Sequence, residues 1–416
     1  MSSTEYLSAK QAASNLGISQ ATLYAYVSRG LIRSEQVGSA RARRYRAEDV
    51  RALGSRKSTG RKRAELVERA MHFGAPILES ALTLIADNKL YYRGQDAVTL
   101  ARSATLEDIA RLMWQADADP FTPDLVPEFV PLLRRGWLAV ATLPPIDRCL
   151  AILPLAATLD LRAWGGDRAA IIASGVRIVR LLAAIIASQP MSGDPVHEVL
   201  ARAWKLSPPQ AELLRQALVL CADHELNASA FAVRVVGATG ATAYGAVVAG
   251  LAALQGPRHG GMTTRVRALF EAVREECADP ARLRATLAAR LQAGADVPGF
   301  GHPLYRGGDP RAVAMLAGLK NVAGKDETVR AFLALAEAGA QVTGRAPTLD
   351  VGLGALESGL GLPAGAALAI FLLGRSVGWI AHLLEQASSP HLIRPRARYT
   401  GPVPTGPASA GPAPRA

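Results

Sequence analysis

The chain is poor in cysteine, in aromatic residues and in histidine, and each shortage closes off a class of protein. Its three cysteines, Cys149, Cys221 and Cys277, are too few and too scattered for a disulfide framework, and none belongs to a Cys-x-x-Cys pair. That usage fits a reducing, cytoplasmic setting. The seven histidines are spread along 416 residues with no Cys or His at short ligand spacing, so no metal site is expected. A Walker-type phosphate loop, a dinucleotide fingerprint after a strand and a Gly-x-Ser-x-Gly elbow are all missing. The first residues hold no apolar signal core. Val235–Pro257 is uncharged and long enough to span a membrane, but its five glycines, two threonines and a tyrosine leave few large apolar side chains. It reads as a buried core helix, and no membrane partner is expected.

What is present is globular and helical in character. Half of the chain is apolar and 20% is charged, and Ala and Leu are abundant, which favours helix over sheet. The length suggests two domains or more. The net charge of +12 is uneven: residues 1–69 hold 14 Lys and Arg against 6 Asp and Glu. Such asymmetry points to a module for nucleic acid or another anionic surface joined to a more neutral body.

Residues 1–53 read as that module. Ser8 caps a first helix, with Gln11 completing a capping box, and the helix stops at Gly17. Ser19 caps a second helix, Gln20–Arg29, ended by Gly30. Ala12, Leu16, Leu23 and Val27 form one shared apolar face. Two short helices around a Gly-containing turn make a helix-turn-helix. Leu31–Arg33 and Arg43–Arg46 are expected to pair as a small wing around Gly38, and Ala47–Leu53 as a closing helix. Ser19, Gln20, Thr22 and Tyr24 lie where the second helix would meet base edges, and Arg41, Arg43 and Arg44 in the wing would neutralise phosphates of double-stranded DNA. The stretch SAKQAASNLGISQATLYAYVSRGLI…RRYRAEDV is similar to the excisionase/MerR-type winged helix-turn-helix.

Residues 54–70 are polar, basic and Gly/Ser-containing, as a linker is. A body follows over 71–400, with apolar residues at helical spacing in Ile171–Ile186, Pro209–Leu220 and Ala367–Leu384, and a short β excursion at Ala81–Tyr92 turning at Asp87–Asn88. The Pro/Gly/Ala-rich residues 401–416 read as a disordered tail.

Three histidines sit in unusual settings: Asp223-His224-Glu225-Leu226-Asn227, Arg258-His259-Gly260-Gly261 and Gly299-Phe300-Gly301-His302-Pro303. Glycines beside His259 and His302 suggest backbone that approaches a ligand closely. Without a metal or nucleotide motif, the site reads as general acid–base chemistry on an organic substrate.

The segments ADHELNASAFAVRVV, GPRHGGM, VPGFGHPLYRGGDPRA, LDVGLGALESGLGLP and GRSVGWIAHLLEQ…LIRPRARYTG, in this order, resemble those of citrate synthases, and ALTLIADNKLYYRGQDAVTLARSATLEDIARLMW resembles that family's opening segment. The resemblance implies a mainly α fold of a large and a small helical domain, the small one at about 225–345, and a homodimer with shared active sites. It implies condensation of acetyl-CoA with oxaloacetate and water to citrate and CoA, with both as substrates and no cofactor. Relatives that make 2-methylcitrate or cleave citryl-CoA are alternatives, as is a DNA-binding regulator whose body senses an acyl-CoA or keto acid. By the same resemblance Asp350 is the base, His259 the donor to the enolate oxygen and His302 the group that polarises the ketone. His224, Arg311, Arg375 and, from the second subunit, Arg394 would hold the dicarboxylate. Val297, Pro298, Gly299, Phe300 and Gly301 resemble the CoA-cradling loop. Asp350 alone also reads as a helix N-cap, and Arg375 as the partner of a structural carboxylate. The pattern departs from the family at Leu349 and Val351 around Asp350, at Pro303 after His302, and at Leu143–Asp147, which lacks a family histidine.

Overall fold

A computed structural model describes residues 5–28, 30–36, 43–53, 78–128, 130–397 and 399–402. The chain divides into two compact units, 1–79 and 80–416. Arg41, the linker expected at 54–70 and most of the tail expected at 401–416 lie outside the described residues.

In the first unit, strand β1 (Tyr6–Ser8) leads into helix α1 (Ala9–Leu16) and then α2 (Gln20–Ser28). Ser8 and Gln11 form the expected capping box, and Gly17 closes α1 in a left-handed conformation at φ 60°. Strand β2 (Ser34–Gln36), strand β3 (Arg43–Arg46) and helix α3 (47–53) follow. The wing strand is Ser34–Gln36 rather than the expected Leu31–Arg33. It pairs antiparallel with β3, and β3 also pairs with β1, giving a sheet of order β1-β3-β2. The physical reason lies at Ile32, which is buried in the small core with Ala12, Leu16, Leu23 and Tyr45. With Ile32 packed inward, pairing begins two residues later. Val27 packs against this core from the edge.

The second unit opens with a hairpin of β4 (Thr83–Ala86) and β5 (Lys89–Tyr92), to which β6 (Gln95–Asp96) adds. Its two turn residues, Asp87 and Asn88, both take positive φ, 52° and 57°, as the expected tight turn demands. The rest is helical: α4 (Ala97–Leu100), α5 (Leu106–Trp114), α6 (Pro131–Ala139), α7 (Pro145–Ala157), α8 (Arg168–Ala187), α9 (Val196–Ala203), α10 (Pro208–Leu220), α11 (Ala228–Gly237), α12 (Ala243–Leu254), α13 (Met262–Ala272), α14 (Pro280–Gln292), α15 (Pro310–Ala323), α16 (Glu327–Thr343), α17 (Leu349–Gly359) and α18 (Ala366–Ala387). Val235–Pro257 is not one helix. The chain breaks after Gly237 and restarts at Ala243, where the Thr242 side chain accepts from the Gly245 N–H.

Among the described residues, two helices, α8 and α18, are long and apolar enough to cross a membrane, and both are mostly buried inside the fold. Helix α18 is apolar on nearly every side because it is the central rod, packed by α5, α8, α10, α11, α12 and α17. It carries Arg375, one of the largest fully buried side chains.

Candidate active site

The site is built from α18 outward. Gly374 and Gly378 on this helix face the end of α10, where an added Cβ would strike the Leu218 and Ala222 carbonyls. The close seat lets Gly378 N–H donate to Ala222 O at 3.1 Å, which fixes the segment 221–224 against the helix. Between the two glycines, Arg375 Nε donates to Cys221 O at 2.9 Å and the guanidinium lies 4.8 Å over the Phe371 ring. Its Nη2 is buried without a hydrogen-bond partner among the described residues. The structural carboxylate considered as its partner is not within ion-pairing distance among the described residues. Asp223 instead faces His382 Nε2 at 3.2 Å and accepts from Thr83 Oγ1 at 2.6 Å. Burial would raise the Asp223 carboxyl, but His382, Arg375 and Thr83 together outweigh it and hold the group below its usual range.

The next residue, His224, brings its Nε2 to 3.0 Å from the Tyr305 hydroxyl and stands edge-on to His302 at 4.9 Å between ring centres. His302 Nδ1 accepts from the Leu304 N–H at 3.2 Å. That acceptor role puts the proton of the neutral ring on Nε2, the nitrogen left to meet a ligand. Burial first, then the charge of Arg311, pushes His302 down to about 4. His224 is held well below 6.5 by the same two causes in the same order.

Arg311, at the start of α15, is forked onto Asp309 by Nε–Oδ1 and Nη2–Oδ2 bonds of 2.9 and 2.7 Å. Asp309 Oδ2 also accepts from the Leu349 N–H at 3.0 Å, so the first turns of α15 and α17 are tied together. Asp350 is the second residue of α17. The cap position belongs to Thr348, so Asp350 is not the N-cap that its sequence context also allows. Asp350 Oδ2 accepts from Thr348 Oγ1 at 3.1 Å, while Oδ1 is buried and without a partner among the described residues. Burial lifts this carboxyl to about 6.

Residues 297–301 run beside the approach to α17. Thr348 N–H donates to Gly299 O and Gly301 N–H to Ala346 O, both at 2.8 Å. Gly299 and Gly301 have φ of 90° and 85°, and a Cβ there would strike Val266 and Val351, or Arg345. Gly260 is likewise pressed on the Leu254 carbonyl. These glycines are thus required by the protein's own packing, a different reason from the ligand approach that the sequence suggests.

His259, before α13, places Nε2 at 2.9 Å from Ser229 Oγ and its ring edge-on to Phe371 at 5.9 Å. Burial, with Arg375 adding to it, lowers His259 to about 4. Three neutral histidines, one raised carboxyl and two buried arginines therefore gather in one place. Arg394 does not join them: it is exposed on the segment after α18. Tyr305, Ser229, Asp309 and Trp379 belong to the site's framework; all four lie inside the quoted segments, but nothing in those motifs singles them out.

A family model for the citrate synthase C-terminal domain matches residues 139–396, well over half of the chain. The chain belongs to the citrate synthase family. It is 28% identical to citrate synthase 2 of Bacillus subtilis, over 79% of this chain and 95% of that one. It is 30% identical to a 2-methylcitrate synthase of Mycobacterium tuberculosis, over 76% and 85%. Among solved structures, the citrate synthase of Thermoplasma acidophilum in complex with carboxymethyl coenzyme A and oxaloacetate is similar with a TM-score of 0.66 and 25% identity, over 80% of this chain and 96% of that one. The fold of this family is the mainly α architecture expected from the sequence. A helix-turn-helix domain family matches residues 6–56.

In that terminal domain, Ser19 Oγ bonds Thr22 Oγ1 at 2.9 Å and accepts from the Thr22 N–H, so both side chains serve the start of α2. Gln20 and Tyr24 are exposed on α2, as are Arg43 and Arg44 on β3. Arg44 is paired with Glu35 at 3.0 Å and lies 4.3 Å over the Tyr6 ring.

Proposed function

We propose that the body condenses an acyl-CoA, acetyl-CoA first among them, with oxaloacetate, and then hydrolyses the resulting thioester to release citrate and CoA. The observation that carries this reading is the pair of unpartnered buried atoms, Asp350 Oδ1 and Arg375 Nη2, in one cluster with three uncharged histidines. Buried polar groups are normally satisfied, so such orphans mark where a ligand completes the structure.

The geometry supports the roles that the family resemblance implies. Asp350, lifted toward neutrality, is basic enough to take a proton from the acyl methyl group and ionised at pH 7. His259 turns Nε2 to Ser229, and when Ser229 gives its proton to Nε2 the ring proton sits on Nδ1, which then donates to the thioester oxygen as negative charge develops there. His302 donates from Nε2 to the ketone oxygen and gives it a proton as the carbon–carbon bond forms. Arg375, Arg311 and His224 hold the dicarboxylate, with Arg394 of a second copy closing it in a homodimer. Val297–Gly301 lies alongside Thr348 and so places CoA beside the base. Water then cleaves the thioester.

The test is thiol release from acetyl-CoA and, in parallel, propionyl-CoA, each with oxaloacetate. Faster release from acetyl-CoA supports the citrate reaction, and faster release from propionyl-CoA assigns 2-methylcitrate. No release from either, in a folded protein, defeats the condensation reading.

A second reading rests on the helix-turn-helix match and the exposed Gln20 and Tyr24: the first unit binds double-stranded DNA. Salt-dependent affinity of the full chain for duplex DNA tests it, and no affinity at 50 mM salt defeats it.

A further inference from the structure

Ser229 Oγ is the meeting point of three side chains. Its neighbours are Asn227 Oδ1 at 2.7 Å, His259 Nε2 at 2.9 Å and Trp379 Nε1 at 3.1 Å. A hydroxyl has one proton and two lone pairs, and an indole N–H can only donate. Trp379 therefore fills one lone pair of Ser229, and the single Ser229 proton goes to Asn227 Oδ1 or to His259 Nε2; only the second arrangement puts the ring proton of His259 on Nδ1. Asn227 Oδ1 is fixed as an oxygen because it also accepts the N–H groups of Ser229 and Ala230 at the start of α11.

Trp379 itself has no freedom to leave. It is fully buried, and its ring lies against Gly250 of α12, where a Cβ would come within 2.8 Å of the indole. It also stands one turn beyond Arg375 on α18, and Phe371, whose ring faces His259, stands one turn before. One stripe of α18 thus addresses both the dicarboxylate arginine and the support of His259.

We infer that Trp379 is a positioning residue for His259: its indole N–H pins Ser229 Oγ, which keeps Nε2 of His259 engaged and leaves Nδ1 as the nitrogen presented to the acyl thioester. The inference rests on the condensation reading above. It separates the two substrates, because the Arg375 contacts to Cys221 and Phe371 do not involve the indole N–H.

The experiment replaces Trp379 by β-(3-benzothienyl)alanine, which keeps the ring volume and removes the N–H, with Trp379→Phe as a second variant. Both are made with Ser229 intact and in a Ser229→Ala background. With Ser229 intact, kcat is expected to fall about tenfold, the scale of one lost hydrogen bond, and the KM for oxaloacetate to stay within about twofold. In the Ser229→Ala background the same replacement is expected to change kcat by less than about twofold, because the route to His259 is already cut. An unchanged kcat with Ser229 intact overturns the inference, as does an equal fall in both backgrounds, which would mark Trp379 as packing alone. A parent protein that releases no thiol defeats the condensation reading and this inference with it. A parent that turns over beside insensitive variants defeats this inference alone.

Discussion

Among the described residues, only the second unit buries arginines. In the first, the described arginines are largely exposed and answered by acids: Arg33 by Asp49 and Glu48, Arg44 and Arg46 by Glu35, Arg51 by Glu5. In the second, Arg375 is almost completely buried and has a nitrogen with no partner among the described residues, as does an oxygen of Asp350. Exposed pairs contribute little in either direction, whereas an unanswered buried charge is costly and persists only where something else needs it. Counting charge finds the first unit; asking which buried charges lack partners narrows the second to a few places, the site among them.

The largest effect expected is at the base. Asp350→Asn should leave the fold intact and lower kcat by roughly 10²–10⁴-fold, the usual contribution of a positioned base. A variant that keeps most of its turnover in the thiol assay would remove Asp350 from the chemistry. The next two substitutions set one buried arginine against the other. Arg311→Met strands the buried Asp309 carboxylate without its fork, and should destabilise the protein by about 3–5 kcal/mol in denaturant unfolding. Arg375→Met strands no carboxylate within ion-pairing distance, so its loss of stability should be much the smaller. Its loss of oxaloacetate affinity should instead be large, about 10²-fold by calorimetry. Equal destabilisation by the two would erase the distinction between an arginine that also braces the framework and one that serves the ligand alone.

The raised carboxyl gives the comparison a pH axis. Asp350 is lifted from 3.8 to about 6 in the folded protein. Between those values the folded chain keeps a proton that the unfolded chain has released. The stability tied to that proton is complete below about pH 4 and is lost as pH rises through about 6. Activity runs the other way, since the base must be ionised, and kcat should fall as the pH drops below about 6. Asp350→Asn removes the titrating group, so its melting temperature relative to the parent should climb between pH 4 and pH 7. A flat difference would mean that Asp350 titrates normally.

Much of this was legible locally. The Ser8–Gln11 capping box, the Asp87–Asn88 turn and the spans of α8, α10 and α18 depend on neighbours within a few residues, and the sequence states them directly. Tyr6–Ser8 was not legible as a strand, because three residues carry no period and its partner β3 lies far along the chain. The break between Gly237 and Ala243 was hidden because small apolar residues on both sides mimic one continuous run. In the site, His259 and His302 stand out by their glycine-rich settings. What holds them does not. Trp379 and Ser229 are 150 residues apart, and Tyr305 and His224 are 81 apart. Such pairings are a product of the fold, and no spacing in the sequence announces them.

The smallest expected effect lies in the first unit, and it sharpens the comparison from the other side. Glu35 holds Arg44 at 3.0 Å and accepts from the Tyr6 hydroxyl at 2.5 Å, and those bonds keep its carboxyl below the usual range. The pair is exposed, so Glu35→Gln should leave stability in denaturant unfolding almost unchanged. If the unit meets DNA through its basic surface, removing the acid releases Arg44 for a phosphate. Duplex affinity should then rise, and the plot of log affinity against log salt should steepen by about 0.9 for one added contact. An unchanged slope beside measurable binding would place Arg44 off the interface. Its bond to Glu35 and its stacking on Tyr6 would then be the whole of its role, a strut for the sheet rather than a hand held out to a ligand.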